Sequence, residues 1–501
     1  MLAVTLAGCI DINNRTDAES TSAELFALNT QAAHEYLEHF LCDMPDTLQA
    51  DIAVMQHYKE DSTWLWASTP EQTKQAGEVI RYLSRQVADM GFAPDAFYLP
   101  QVEADIERLD SLRFDSLNTM DVVMARTELN LSRAYLKYCR GQRYGFMNPV
   151  YTFNHSDLRN GQAGNYRQLF DIDVEQPDSL FFSRALSQAV DGNALGFLRQ
   201  CEPHDSLYAR FKQALIIDSV EESRHRLMCN MERRRWRTDE STSPDGRRVF
   251  VNLPSQQLWA IGPDSVFSMR ICFGAWKTKT PLLHSAISLL EINPEWIIPG
   301  SIVRDEVSRR AGDSAYFARN RYYIVNRSTG ERVAPHHVSA SQLRSGGYRV
   351  AQHSGRGNSL GRLIFRFPNQ HAVYLHDTSN RNAFNAEKRS ISHGCVRVER
   401  PFDLAVFLLP EADEWMLDRI RLSIDMNPVS QRGQQYLKDM KAEGKASSIR
   451  LIQSATISPR VPVQLSYYTV YPNPETGILE TWPDRYEYDK TILKWLTPFL
   501  R

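Results

Sequence analysis

Residues 374–398 read YLHDTSNRNAFNAEKRSISHGCVRV, and Cys395 near their end decides how the second half of the chain is interpreted. The cysteine follows Ser-His-Gly and precedes an alternating Val-Arg-Val run that is typical of a strand. In this position it is either a small buried hydrophobe or a nucleophile. A nucleophilic cysteine needs a base or a cation that favours its thiolate.

Two histidines lie close enough in the sequence to act as that base. His376 ends an apolar run nineteen residues upstream, and His393 lies two residues before Cys395. We expect His376 to arrive on a neighbouring strand, which can bring its imidazole beside the thiol, with Asp377 or a backbone carbonyl orienting the ring. Alternation along one strand would place His393 on the face of Cys395, but the intervening Gly394 favours a bend.

Gly394 and Arg397 bear on what the cysteine would attack. The N–H groups around Gly394 and Cys395 could bind a developing oxyanion, which is often worth roughly 3–4 kcal/mol per donor. Arg397 shares the face of Cys395 on a strand, and a guanidinium there suits a substrate that carries a carboxylate. These residues alone leave two hypotheses open, a cysteine acyl-transfer enzyme and a buried strand cysteine with surface histidine and arginine.

Composition limits the classes of partner. The chain has 501 residues, enough for two or three domains of roughly 100–200 residues each. Hydrophobic residues make up 42% and charged residues 24%, and the formal net charge is −2, so no global field favours nucleic acid. The densest basic run, ERRRWR at residues 232–237, lies in a helical pattern and is typical of a solvated or salt-bridged face.

The first residues, MLAVTLAGCI, suggest a membrane anchor of a different kind from a spanning helix. No stretch approaches the 18–20 apolar residues that a spanning helix needs. Residues 6–9, Leu-Ala-Gly-Cys, resemble the lipobox of bacterial lipoproteins, which implies lipidation at Cys9. We therefore expect residues 1–24 to be a truncated lipoprotein signal and a polar tether, and the protein to lie in the cell envelope or periplasm; a chance match is the alternative.

Cysteine and glycine spacing indicate neither a metal site nor an organic cofactor. None of the seven cysteines belongs to a CxxC motif, and no HExxH occurs. If Cys9 is lipidated and Cys395 is catalytic, an odd number remains, so one disulfide is possible but has no assignable pairing. The glycines of SGRGNSLGRL, residues 354–363, precede a strand rather than a helix and are better explained as shaping a loop.

Periodicity predicts an α+β protein. Residues 25–245 are mostly helical; one helix is marked by Thr69, Pro70 and Gln72 as a capping box with proline at the first position. A β-rich domain follows at 246–430, starting with the hairpin-like RRVFVNLPSQQLWAI. Residues 431–501 are expected to form a helix and strand extension packed on that domain. Residues 304–355, rich in Arg, Ser and Gly without strong patterning, are expected to form a lid over the site.

Residues 374–398 resemble the YkuD-type L,D-transpeptidase signature, in which a histidine and a spacer precede Ser/Thr-His-Gly-Cys. Further blocks resemble the YcbB-like murein L,D-transpeptidase subfamily in the same order, and the helical region resembles its scaffold domain. The resemblance implies a β-sandwich-like catalytic domain after the scaffold. The blocks in the two regions are YKEDSTWLW, GFAPDAFY, NMERRRW, VNLPSQQLWAI, MRICFGAWKTKTP, EINPEWIIPGSI, GRGNSLGRLIFRFPN and VPVQLSYYTVY.

The chain departs from the subfamily in two places that concern binding. Residues 208–236 run without a break where many YcbB-like proteins carry a small peptidoglycan-binding repeat. The subfamily often has Ser-Ser-Gly-Cys, whereas this chain has Ser392, His393, Gly394 and Cys395, as in the wider YkuD family. Contacts made by the AWKTK segment, residues 275–279, are left open.

The resemblance implies an enzyme that acts on peptidoglycan tetrapeptide stems as donor and acceptor. The Cys395 thiolate would displace D-Ala with His376 as general base and acid, Asp377 as a weak orienter and the Gly394 backbone at the oxyanion. Transfer to a diamino-acid amine would give 3→3 cross-links; an L,D-carboxypeptidase and a non-catalytic envelope scaffold are the alternatives. Envelope protein partners are possible, and nucleic acid is not expected. The candidate substrate-binding residues are His393, Arg397, Ser392, Tyr374 and Trp296.

Overall fold

The structure is a computed structural model that describes residues 30–42, 44, 48–60, 63–158, 164–238 and 242–500. Its described residues form two compact units. The helical unit contains those within Met1–Thr152, Asp173–Asp239 and Glu487–Arg501, and the strand-rich unit those within Phe153–Ile172 and Glu240–Tyr486. The predicted tether at 1–24 and its lipidation site Cys9 lie outside the described residues.

The predicted helix after Thr69 begins at its capping residue. The Thr69 hydroxyl accepts a hydrogen bond from the Gln72 N–H at 3.2 Å, and Pro70 occupies the first turn. The Gln72 side chain does not complete the expected box, because its oxygen accepts from the Ser68 N–H at 2.9 Å. Gly91, with φ +75°, follows the end of the helix, where a left-handed conformation favours glycine.

Helices make up most of the chain up to Arg235. The long central helix, Met120–Tyr144, is buried along most of its length, including the polar side chains of Glu128, Arg133 and Lys137. In order, the helices are α1 (Thr30–Cys42), α2 (Gln49–Glu60), α3 (Pro70–Asp89), α4 (Leu99–Ser111), α5 (Met120–Tyr144), α6 (Pro149–Asn154), α7 (Phe181–Val190), α8 (Ala194–Cys201), α9 (Ser206–Ile217) and α10 (Glu221–Arg235). None of the described helices is both long and apolar enough to cross a membrane.

Strands dominate the second unit, with the expected hairpin at its start. Phe250 pairs with Trp259 across the hairpin, and both side chains are buried. The strands are β1 (Phe170–Asp171), β2 (Arg248–Asn252), β3 (Gln257–Ile261), β4 (Val266–Gly274), β5 (Leu282–Ile292), β6 (Trp296–Ile297), β7 (Tyr322–Asn326), β8 (Arg332–Val333), β9 (Tyr348–Gln352), β10 (Leu363–Arg366), β11 (Leu375–His376), β12 (Ser390–Ser392), β13 (Val396–Val398), β14 (Ser454–Ser466), β15 (Val470–Pro472) and β16 (Leu479–Thr481).

The main sheet closes on itself through β14. Its order is β1-β5-β10-β11-β13-β4-β3-β2-β14, and β14 also pairs antiparallel with β5. The segment predicted to be an extension at 431–501 therefore supplies a central strand, with Val463 fully buried between β2 and β5. A closed sheet has no exposed edge, which explains why a strand so late in the chain is integral to the fold.

A second sheet forms the region predicted as a lid. It has the order β6-β9-β7-β8 and lies in the chain between β5 and β10, so it spans 296–352 rather than the expected 304–355. Its own apolar core includes Val307, Phe317 and Val350, all buried. Its helices are α11 (Gly300–Asp305), α12 (Ser314–Arg319) and α13 (Ala340–Arg344). The segment is a folded subdomain, which we call the lid subdomain.

Four helices complete the chain. Three lie in the strand-rich unit, and the last lies in the helical unit, which differs from the predicted boundary because the chain crosses between units at Glu487. They are α14 (Pro401–Leu408), α15 (Glu414–Ser423), α16 (Gln431–Ala442) and α17 (Tyr488–Leu496).

Candidate active site

Strand register brings the predicted base and nucleophile onto one face of the sheet. β11 and β13 are parallel neighbours, with His376 opposite Arg397 and Leu375 opposite Val396. Leu375 and Val396 are fully buried on one face. Because side chains alternate, His376, Arg397 and Cys395, two residues before Arg397, belong to the other face. His376 and Cys395 are therefore diagonal neighbours on adjacent strands.

The His376 ring is buried and held by a backbone carbonyl. Its Nδ1 donates to the Asp377 carbonyl oxygen at 2.5 Å, which leaves the Nε2 lone pair to accept a proton. Burial, reinforced by the positive charge of Arg397, lowers the pKa of His376 to about 4, although the carbonyls of Asp377 and Leu360 act in the opposite direction. The imidazole is therefore neutral at neutral pH and competent as a base.

The Asp377 carboxylate has a different task from the one its sequence position suggests. It accepts the Arg362 N–H at 2.9 Å and pairs with the Arg381 guanidinium at 3.2 Å. A Cβ added to Gly361 would lie 2.4 Å from this carboxylate, and Gly361 has φ +65°. Of the two orienters that the sequence left open, the backbone carbonyl holds the ring, while the carboxylate fixes the turn before β10.

The Cys395 thiol is partly exposed and donates to the Ala372 carbonyl at 3.7 Å. Burial of its surroundings raises the pKa of the Cys395 thiol, while the Tyr374 N–H, Arg397 and Arg366 act to lower it. The effect of burial is the largest, so the pKa of the thiol is raised overall and the resting thiol keeps its proton at neutral pH. A base is therefore needed for nucleophilic attack.

A hydroxyl clamp shapes the turn that carries the nucleophile. Gly394, at φ +121°, donates its N–H to the Ser392 hydroxyl at 3.1 Å, and that hydroxyl donates to the Cys395 carbonyl at 2.6 Å. Two predictions change as a result. The Gly394 N–H is already bonded and is not available to an oxyanion, and the buried Ser392 side chain holds the turn rather than the substrate. Among the described residues, none accepts from the Cys395 N–H.

Two threonines in the AWKTK-TP segment support the same turn. Thr278 donates its hydroxyl to the Ser392 carbonyl at 2.8 Å, and Thr280 donates to the Gly394 carbonyl at 2.7 Å. The Thr280 hydroxyl in turn accepts the Gly274 N–H at 2.9 Å. The sequence interpretation missed these supports; their signal was a pair of β-branched hydroxyl residues beside a glycine that ends a strand.

Two family models match the chain. Residues 246–420 match YkuD, the L,D-transpeptidase catalytic domain, and residues 53–215 match the Scaffold domain. The chain carries a YkuD L,D-transpeptidase catalytic domain. A Haemophilus influenzae protein named "Putative L,D-transpeptidase" is 30% identical over 326 residues, which cover 64% of this chain and 60% of that protein. The family resemblance and the α+β class predicted from the sequence are confirmed.

His393 of the YkuD domain contacts the lid subdomain. Its Nε2 lies 2.6 Å from the Glu306 carboxylate, and both side chains are about half exposed. Trp296, expected as a possible lining residue, belongs to β6 and packs against the lid subdomain's core, with its ring 6.4 Å from that of Tyr322. The contact links the nucleophile turn to the lid subdomain, whose role as a cap stays a prediction.

Arg397 and Tyr374 occupy the same face as the nucleophile. Arg397 is half-buried, and its Nε is buried without a hydrogen-bond partner among the described residues. The Tyr374 ring is half-buried and lies under the guanidinium of Arg366, with 4.7 Å between the guanidinium carbon and the ring centroid. Arg366 was not a sequence candidate, because nothing in LIFRFP indicates that its side chain shares the face of Cys395.

Proposed function

We propose that this protein is a peptidoglycan L,D-transpeptidase in which Cys395 is the nucleophile and His376 the general base and acid. The observation that carries the proposal is the placement of a buried, neutral imidazole and a partly exposed thiol on one face of adjacent strands. The match of residues 246–420 to the YkuD catalytic domain supports the reaction class. Donor and acceptor would be the tetrapeptide stems of the wall polymer.

Acylation begins with a turn of the thiol away from the Ala372 carbonyl. Sγ attacks the carbonyl carbon of the third stem residue, a diamino acid, and the thiol proton moves to Nε2 of His376. A carbon–sulfur bond forms, and the carbonyl oxygen takes the negative charge beside the Cys395 N–H. When the intermediate collapses, the carbon–nitrogen bond breaks, and His376 returns the proton to the amine of the departing D-Ala.

The thioester is then resolved by an amine. The side-chain amine of the diamino acid in a second stem attacks the thioester carbon, His376 accepts its proton, and the carbon–sulfur bond breaks. The product is a 3→3 cross-link, and the proton returns to the Cys395 sulfur. Water in place of the amine would give an L,D-carboxypeptidase, which uses the same residues and differs only in the acceptor.

The resting protonation states favour general-base catalysis over a preformed ion pair. Burial raises the pKa of the Cys395 thiol, and burial with Arg397 lowers the pKa of His376 to about 4. The proton therefore moves during attack rather than before it. General base catalysis of this kind contributes about 10²–10⁴-fold in rate. Loss of the His376 imidazole should cost a factor in that range.

We further propose that the protein works in the cell envelope, where its polymeric substrate lies. The lipobox-like residues 6–9 motivate a lipid anchor at Cys9. Mass spectrometry of membrane fractions tests this proposal, since a diacylglyceryl or acylated N-terminal cysteine supports it. An unmodified protein in the soluble fraction would contradict it.

Intact-protein mass spectrometry with a carbapenem tests the nucleophile. We expect one covalent adduct in the wild-type protein and none in Cys395→Ala, because only an activated thiol is acylated by the strained lactam. Cys42→Ala removes an exposed thiol of the helical unit and is the matched control, which should keep the adduct. An adduct that persists in Cys395→Ala, or no D-Ala release from tetrapeptide stems, would contradict the proposal.

A further inference from the structure

Strand pairing extends the row of Cys395 onto a third strand. Ile364 on β10 pairs with His376 on β11, so Arg366, two residues on, falls opposite Tyr374. The Val396 N–H donates to the Tyr374 carbonyl at 3.0 Å, which continues the parallel register and sets Tyr374 beside Cys395. Arg366, Tyr374 and Cys395 therefore form one transverse row on the face that also carries His376.

Two contacts hold the Arg366 guanidinium, and neither is a hydrogen bond from its terminal nitrogens. Its Nε lies 2.5 Å from the Glu291 carboxylate, and its plane covers the Tyr374 ring at 4.7 Å. Its side chain keeps about a third of its surface exposed. Among the described residues, none accepts a hydrogen bond from either terminal nitrogen of Arg366. A guanidinium fixed through Nε presents those two nitrogens as a fork that matches a carboxylate.

The reach of this fork fits a group close to the bond that is broken. Neighbouring strands lie about 4.8 Å apart, so the Cα atoms of Arg366 and Cys395 are about 10 Å apart. The Arg366 side chain extends towards Cys395 across the intervening strand, because its guanidinium lies over the Tyr374 ring. Its charge reaches the sulfur, since Arg366 acts with Arg397 to lower the pKa of the Cys395 thiol. In a peptide, the carboxylate of the residue after the scissile carbonyl lies only about 3–4 Å beyond it.

We propose that Arg366 binds the C-terminal carboxylate of the donor stem's leaving residue through its two terminal nitrogens. This inference rests on the proposed function and deepens it, because it states which peptides are donors. A stem that ends in a free carboxylate directly after the attacked residue is recognised by the fork. A stem whose end is blocked as an amide loses the charge-assisted pair.

Two peptides and three variants test the proposal. The peptides are a tetrapeptide stem with a free C-terminal carboxylate and the same stem as a C-terminal amide, and the readout is kcat/KM for release of D-Ala or its amide. We expect the wild-type protein to prefer the free carboxylate by about 10–100-fold, the usual range for a charge-assisted hydrogen bond. Arg366→Gln should lose this preference, because its rate on the free carboxylate falls about 10–100-fold further than its rate on the amide, and Arg366→Lys should keep part of the preference.

Arg400→Gln is the matched control. It removes a surface arginine of the same unit that pairs with Asp403 at 2.6 Å and lies outside the row of Cys395, so the preference should be unchanged. The proposal is overturned if the wild-type protein does not distinguish the two peptides, or if Arg366→Gln weakens both equally, which would indicate a positioning role through Tyr374. If the wild-type protein releases a residue from neither peptide, the proposed function itself fails, and this inference fails with it.

Discussion

Protonation of the buried His376 should destabilise the strand-rich unit in mildly acidic solution. Burial and Arg397 lower the pKa of His376 to about 4 in the folded state, whereas an unfolded histidine titrates near 6.5. Between these values the unfolded chain binds more protons, so the free energy of unfolding is fully retained above about pH 6.5 and falls as the pH drops towards 4. At pH 4.5 the loss reaches about 2.5 kcal/mol.

Urea unfolding at pH 7.5 and pH 4.5 measures this loss. His376→Gln removes the titrating group, so the wild-type protein should lose about 2.5 kcal/mol more than the variant over this interval. Because both proteins share their other titrating groups, the difference between the two losses isolates His376. His353→Gln, at a partly exposed ring directly after β9, should behave as the wild type. Equal losses in the wild type and His376→Gln would refute the buried neutral imidazole.

The remaining predictions concern the turn and the lid subdomain. Ser392→Ala should cost about 1–3 kcal/mol in stability and slow acylation, because the Gly394 N–H loses its acceptor and the Cys395 carbonyl its donor; calorimetry and single-turnover kinetics check this. Glu306→Gln should make the lid subdomain more susceptible to proteolysis, because it weakens the contact with His393; Glu295→Gln is the control. Replacing 296–352 with a short linker should weaken acylation while the rest of the unit keeps its circular dichroism, and unchanged acylation would remove the lid's proposed role.

The catalytic pair was predictable because its two residues lie close together in the sequence. The pairing register of the strands that carry them was not predictable. Ser-His-Gly-Cys and an upstream histidine are visible in 25 letters of sequence, whereas the identity of the orienting group depends on which way the chain turns after β11. The strand expected to carry His376 is only Leu375–His376 long, because Ala372 adopts φ +52° and the Asn369 side chain accepts from the Val373 N–H at 3.1 Å. No periodicity signals that bend.

Long-range pairing accounts for the other differences. β14 pairs with β2 and β5, which lie far upstream in the sequence. Its run of apolar residues therefore predicted a strand, but not that this strand closes the sheet. The lid subdomain was predicted as weakly patterned, because its core residues come from short strands and one-turn helices with no sustained period. Arg366 joined the site only through the pairing of three strands.

Rapid-quench peptide mapping of the enzyme mixed with a tetrapeptide stem tests the central claim most directly. The account predicts a thioester of the tripeptide on Cys395 within the first turnover, with one D-Ala released per adduct. It predicts that His376→Gln forms the same adduct about 10²–10⁴-fold more slowly. An adduct on any other residue, or acylation of Cys395 at an unchanged rate in His376→Gln, would contradict it.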